Sequence, residues 1–256
     1  MSHALTNTAA VTRLEWRRLL VRPLAWVLAA LTVAWLAWNF TLMLGSFLSS
    51  QIQRAAQPDG PGFIDLVGVP LLGQLAQLAF LVVPLITMSV ISGERRNGTL
   101  PLLFAAGVPA WHIVLGKYLA VLGWLLLWLL LTLAMPLALL HTTHFDWGKL
   151  GAATLGLALM LAALGAAGVA CSTFASHPAL AAAAALVIAL ALWSVNLGAQ
   201  MAGINGGVIN WLAMSSHLQP LLRGLVSTTD IVWFVLLIVL ALALASRRLA
   251  ADRERG

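Results

Sequence analysis

Residues 150–193 read LGAATLGLALMLAALGAAGVACSTFASHPALAAAAALVIALALW. The stretch holds no Asp, Glu, Lys or Arg, and the charge-free run containing it extends from Leu150 to Leu222. A membrane-spanning helix needs about 20 predominantly apolar residues, so there is room for two. One break interrupts the run, at Cys171-Ser172-Thr173-Phe174-Ala175-Ser176-His177-Pro178. Polar residues cluster there, and Pro178 suits the first turn of a new helix. The run lacks the strict alternation of a membrane barrel strand. Inside lipid, only helices and closed barrels satisfy the backbone polar groups. The stretch therefore predicts two transmembrane helices, near 150–173 and 178–197.

The same reading extends outward. Residues 23–53, 66–93, 118–145 and 231–246 also carry no charge. The last run is short, but Arg247 and Arg248 can snorkel to the interface. The spacing predicts an all-α, polytopic membrane protein of six spans, read as one domain over residues 1–256. The remaining spans fall near 24–49, 67–92, 112–140 and 230–247. Composition agrees. The chain is 61% hydrophobic and 9% charged, against about 25% charged in soluble domains. Such a chain cannot cover a soluble surface, which excludes a soluble enzyme. Its single cysteine, Cys171, excludes an intramolecular disulfide framework. The net charge of +6 would suggest nucleic acid in a soluble domain. Here the basic residues sit at the ends of apolar runs, so they read as topology signals and partners for lipid phosphate. No nucleic-acid partner is expected.

With six spans both termini lie on one side. Arg13, Arg17, Arg18, Arg22, Arg95, Arg96, Lys117, Arg247, Arg248, Arg253 and Arg255 share that side, while Arg54, Lys149 and Arg223 lie on the other. The positive-inside rule places both termini in the cytoplasm. The first apolar run is too long for a signal peptide, and Trp26, Trp35 and Trp38 fill it. It reads as an uncleaved span.

Within the spans, Ala158, Ala162, Ala166 and Ala170 recur every four residues, as do Ala181, Ala185 and Ala189. Small residues at this spacing let helices pack closely. Gln74 and Gln77 share a helix face, and Asn39 and Asn196 are further amides at depth. Amides in lipid seek partners on other helices; a substrate path is the alternative. The chemical constellations are weak. His141, His144 and Asp146 form a short cluster at a membrane exit, which reads as interfacial, and no metal site is expected. Ser172 has a histidine nearby at His177 but lacks a Gly-x-Ser-x-Gly setting. Gly116-Lys117-Tyr118 resembles the tail of a phosphate loop, but Trp111 stands where its first glycine belongs. No catalytic residue is assigned.

The informative connection is Ser92-Gly93-Glu94-Arg95-Arg96-Asn97-Gly98-Thr99-Leu100-Pro101-Leu102-Leu103-Phe104, continuing through Gly107 and Pro109 to Gly116-Lys117. A charged cap at Glu94–Arg96 ends the second span, and Asn97-Gly98 breaks the helix. Thr99 then caps a short apolar helix, 100–106, closed by Gly107. Such a helix either docks a partner or lies in the lipid interface. No intrachain partner is evident for Glu94.

This pattern resembles the ABC type-2 exporter permeases. Ala170-Cys171-Ser172-Thr173-Phe174 before Ala179-Leu180-Ala181 is similar to that family's turn between spans four and five. Arg13-Leu14-Glu15-Trp16-Arg17-Arg18 before Pro23 fits its N-terminal helix. Trp211-Leu212, Ser216-His217-Leu218, Leu222-Arg223-Gly224-Leu225-Val226 and Asp230-Ile231-Val232-Trp233-Phe234 resemble its outer segment. That last pattern is nearest the branch of gliding-motility and nitrous-oxide-reductase-maturation permeases. The resemblance departs from the common pattern at Cys171 and at Pro101.

The resemblance implies a permease subunit of a bacterial inner-membrane exporter. Such a subunit pairs with a second permease and binds a separate ATPase. ATP and magnesium would sit on that ATPase, and this chain would hold no cofactor. Coupling would fall to Glu94, Arg95, Arg96, Gly98, Thr99, Leu100 and Leu103. His217, Arg223, Gly224 and Asp230 would form an outer gate or dock; the alternative is an Arg223–Asp230 pair or a lipid-phosphate contact that holds that segment. The alternative is a mechanical subunit that acts on a periplasmic partner without moving a solute.

Overall fold

A computed structural model describes residues 2–50, 61–105, 107–140, 145–201 and 207–255. The chain begins with α1 (Ser2–Val21) and α2 (Pro23–Ser49). A π-helical turn (Ile64–Gly68) leads into α3 (Val69–Thr87). Two short helices follow, α4 (Ser92–Arg96) and α5 (Leu100–Ala105). Then come α6 (Ala110–Leu137), α7 (Trp147–Phe174) and α8 (Pro178–Met201). The outer segment contributes α9 (Gly207–Leu212) and α10 (Met214–Leu222), and α11 (Thr228–Arg255) closes the chain. Six helical stretches are long and apolar enough to cross a membrane, and the protein is a multi-pass membrane protein.

The six runs found by absence of charge all become helices, with two differences at their ends. The second span does not run straight to residue 92. α3 stops at Thr87, and the backbone turns through 88–91 before α4. The last helix passes the apolar run and continues to Arg255. Arg248 and Asp252, four residues apart, pair at 3.3 Å and support that extension.

α7 is the centre of the bundle. It packs against α3, α6, α8, α10 and α11. In its most apolar stretch 72% of residues are buried, against 17% for α2 and for α8, so these last two form the perimeter. Buried apolar residues make one cluster from Leu19 to Leu249. Both alanine stripes are packing faces. Ala162, Ala166 and Ala170 are buried, and so are Ala181, Ala185 and Ala189. One amide pair forms between helices, where Gln74 Nε2 donates to Asn39 Oδ1 across α3 and α2 at 3.4 Å. Gln77 faces outward instead, and the Asn196 side chain lies outside the described residues.

Four glycines set the closest helix contacts. A Cβ on Gly116 would sit 2.8 Å from Val11 Cγ1, and one on Gly123 would sit 2.6 Å from the Trp16 ring. Thr8 Oγ1 meets His112 Nδ1 at 2.7 Å on the same seam. Residues 8, 11 and 16 thus meet 112, 116 and 123, so α1 and α6 lie side by side in the same direction. On α7, a Cβ on Gly168 would strike Thr87 Oγ1 at 2.2 Å, and one on Gly156 would reach Leu221 Cβ at 2.6 Å. Those two glycines admit α3 and α10 respectively.

Candidate functional site

The connection between α3 and α6 is built from a broken helix. Ile91 begins α4 without a side-chain cap of its own. The cap comes from α7. Ser172 Oγ accepts from the backbone N–H groups of Ile91 and Ser92, each at 3.0 Å, and donates to the Met88 carbonyl at 3.1 Å. One hydroxyl offers one donor and two acceptor lone pairs, so Ser172 is fully used. It is also wholly buried. Its place in the polar break of the sequence is therefore structural.

Glu94 and Arg95 turn into the protein from this cap. Glu94 Oε1 lies 2.9 Å from Lys117 Nζ and 3.1 Å from Arg18 Nη1. Glu15 Oε1 joins both cations, at 2.8 Å from Lys117 and 2.9 Å from Arg18. The Lys117 side chain is 1% exposed. The expectation that Glu94 lacks an intrachain partner is thereby corrected: it has two, on α1 and α6. Arg95 Nη1 donates to the carbonyls of Thr173 and Ala175 at 2.7 and 2.8 Å. These are carbonyls at the end of α7, where a helix leaves acceptors unsatisfied and favours a cation. Arg95 also pairs with Asp252 of α11. The connection is thus fastened to α1, α6, α7 and α11.

The rest of the segment points away. Arg96, Asn97, Gly98 and Thr99 are exposed, while Leu100 is buried and Leu103 half-buried. Leu102 is the exposed apolar residue, at 70%; helical position rather than composition selects it. Gly98 and Gly107 have φ of +68° and +71°, a region that side chains other than glycine rarely adopt. They bracket α5. Pro101 is its second residue, where a missing N–H costs nothing.

At the opposite end, His217 of α10 and Asp230 of α11 are both buried, with Nδ1 and Oδ1 2.7 Å apart. His217 Nε2 lies 2.9 Å from the Trp211 carbonyl. Both ring nitrogens thus face oxygen atoms. The imidazole stacks on Trp233, with ring centres 4.8 Å apart. Asp230 therefore pairs with His217, which corrects the expected Arg223–Asp230 pair. Arg223 is exposed. Gly224 follows it with φ of +90°, against Lys149. Asp65 holds Lys149 Nζ at 2.5 Å and so ties the start of α7 to the π-turn. His141 and His144 lie outside the described residues. Asp146 caps α7 by accepting from the Lys149 N–H at 3.0 Å.

Sequence reasoning missed Glu15, Lys117, Ser172 and Asp252 as members of this arrangement. One signal was present. Lys117 is the single cation inside an otherwise apolar helix, α6, and a buried lysine demands a carboxylate.

The protein is thus a six-span helical bundle with a short helix carried on the connection between its second and third spans. The family model described as ABC-2 family transporter protein matches residues 61–247. The match covers more than half of the chain, and the protein belongs to that family of ABC transporter membrane components. A search of curated proteins finds no match.

Proposed function

We propose that this chain is the permease subunit of an ATP-driven exporter in a bacterial inner membrane, coupled to a separate ATPase through residues 93–111. One observation carries the reading. The connection is latched on its inner side by Glu94, Arg95 and Ser172, while Gly98 and Leu102 are presented outward. A push on α5 would reach α1, α6, α7 and α11 as rigid-body motion. ATP and magnesium would be held by the ATPase, and a second permease would complete the pair. Both termini would face the cytoplasm. A cysteine at position 97 in a Cys171→Ala background should label only from the cytoplasmic side; labelling from outside would overturn the scheme.

A second reading rests on α11. That helix carries Asp230 in its first turn and Asp252 in its last, so it touches both the outer pair and the inner latch. A mechanical subunit acting on a periplasmic partner, as in the branch that residues 211–234 resemble, would use such a rod. The coupling test serves both readings. Leu102→Glu changes an exposed side chain, and Gly98→Leu strains the turn by about 1–2 kcal/mol. Leu102→Glu should abolish co-purification of the ATPase at unchanged membrane yield, and Gly98→Leu should weaken it several-fold. Wild-type co-purification and stimulation of ATPase activity in both variants would remove the coupling assignment.

A further inference from the structure

At the arginine-rich end, three spans begin or end close together. α2 starts after Arg22, α3 ends in the turn at Ser89, and α8 starts at Pro178. These ends surround a pocket of about 370 Å³. Arg18, Arg22, Arg96, Ser89, Asn97 and Thr99 line it. Arg22 Nη1 donates to Ser89 Oγ at 2.7 Å. Among the described residues no carboxylate pairs with Arg22 or Arg96. Glu94 also lines the pocket, but Lys117 and Arg18 hold its charge. Counting Arg18, Arg22, Arg96 and Lys117 against Glu15 and Glu94 leaves an excess of two positive charges. Guanidinium groups with hydroxyl and amide donors suit the oxygens of a phosphate group.

The surroundings indicate the source of that phosphate. Val21 is 81% exposed, Leu24 46% and Trp26 45%, all within four residues of Arg22. Leu180, two residues past Pro178, is 57% exposed. Cations and apolar side chains therefore meet where spans start, as at a membrane interface. We propose that this pocket holds the phosphate-bearing headgroup of an anionic phospholipid, with acyl chains lying along α2 and α8. The bound lipid joins the α1–α2 junction to the turn after α3 and to the start of α8, and so braces the inner latch.

The test uses the full chain in detergent with dioleoylphosphatidylglycerol and dioleoylphosphatidylcholine, read by native mass spectrometry and thermal shift. The anionic lipid should bind preferentially. A guanidinium near an anionic surface contributes about fivefold in affinity. Arg22→Gln/Arg96→Gln should therefore bind about 25-fold more weakly. Arg96→Gln alone alters an exposed side chain and should bind about fivefold more weakly in a folded protein. Arg247→Gln removes the same charge from an exposed position of α11 and should bind as wild type. Equal weakening in Arg247→Gln would reduce the effect to net charge and overturn the proposal. Inorganic phosphate that stabilises the protein and displaces the lipid at millimolar concentration would make free phosphate the ligand. Unchanged lipid binding in Arg96→Gln, with the ATPase lost from purification, would assign the pocket to a protein contact.

Discussion

At the arginine-rich end, Glu15, Arg18, Glu94 and Lys117 form a four-residue ion cluster, with Arg95 and Asp252 beside it. At the other end the His217–Asp230 pair is walled by Trp233, Lys149 pairs with Asp65, and Leu221 sits against Gly156. The first region joins a connection to four long helices through charge. The second joins α10 to α11 and α7 mainly through packing. The contrast shows where each end can yield. A buried charge cluster is costly to open because every member left behind is an unpaired ion. A packed segment with separate polar pairs can shift with smaller loss. The ion cluster is the stiffer region, and the outer segment the one that yields at lower cost.

The largest expected effect breaks the inner side of this comparison. Lys117→Met leaves the buried Glu15 and the partly buried Glu94 with only the half-exposed Arg18 between them. It should cost about 3–5 kcal/mol, visible as lost membrane yield and a much lower melting temperature. A near wild-type melt would show that the cluster contributes little. His217→Ala probes the outer side. It leaves the Asp230 carboxylate without its partner, at about 1.5–3 kcal/mol. The expected result is a moderate fall in thermal stability with ATPase co-purification retained. Loss of co-purification would show that the two ends are coupled through α11. Arg223→Ala should have the smallest effect, within about 0.5 kcal/mol, as for other exposed substitutions. A clear fall in yield or melting temperature would restore Arg223 as a holding residue.

Charge-free runs predict six spans, and six helices occupy them, because in lipid a long apolar segment has no other way to satisfy its backbone. Asn97, Gly98 and Gly107 mark the short helix α5 from local backbone chemistry alone, and the positive φ values of the glycines agree. The partners of Glu94 and Asp230 were not legible in this way. Residue types name what a side chain can bind, but Glu15 and Lys117 are 102 positions apart in sequence. Only the packing of α1 along α6, admitted by Gly116 and Gly123, brings them together. The same limit hid Ser172 as the cap of a helix 80 residues away. The sequence by itself determined which segments are helices and where they stop near charged or turn-forming residues, since these are local preferences. Tertiary structure decided which charges meet, which glycines are contacts and which leucine of the short helix faces outward. Those outcomes depend on distances between helices that no stretch of sequence contains.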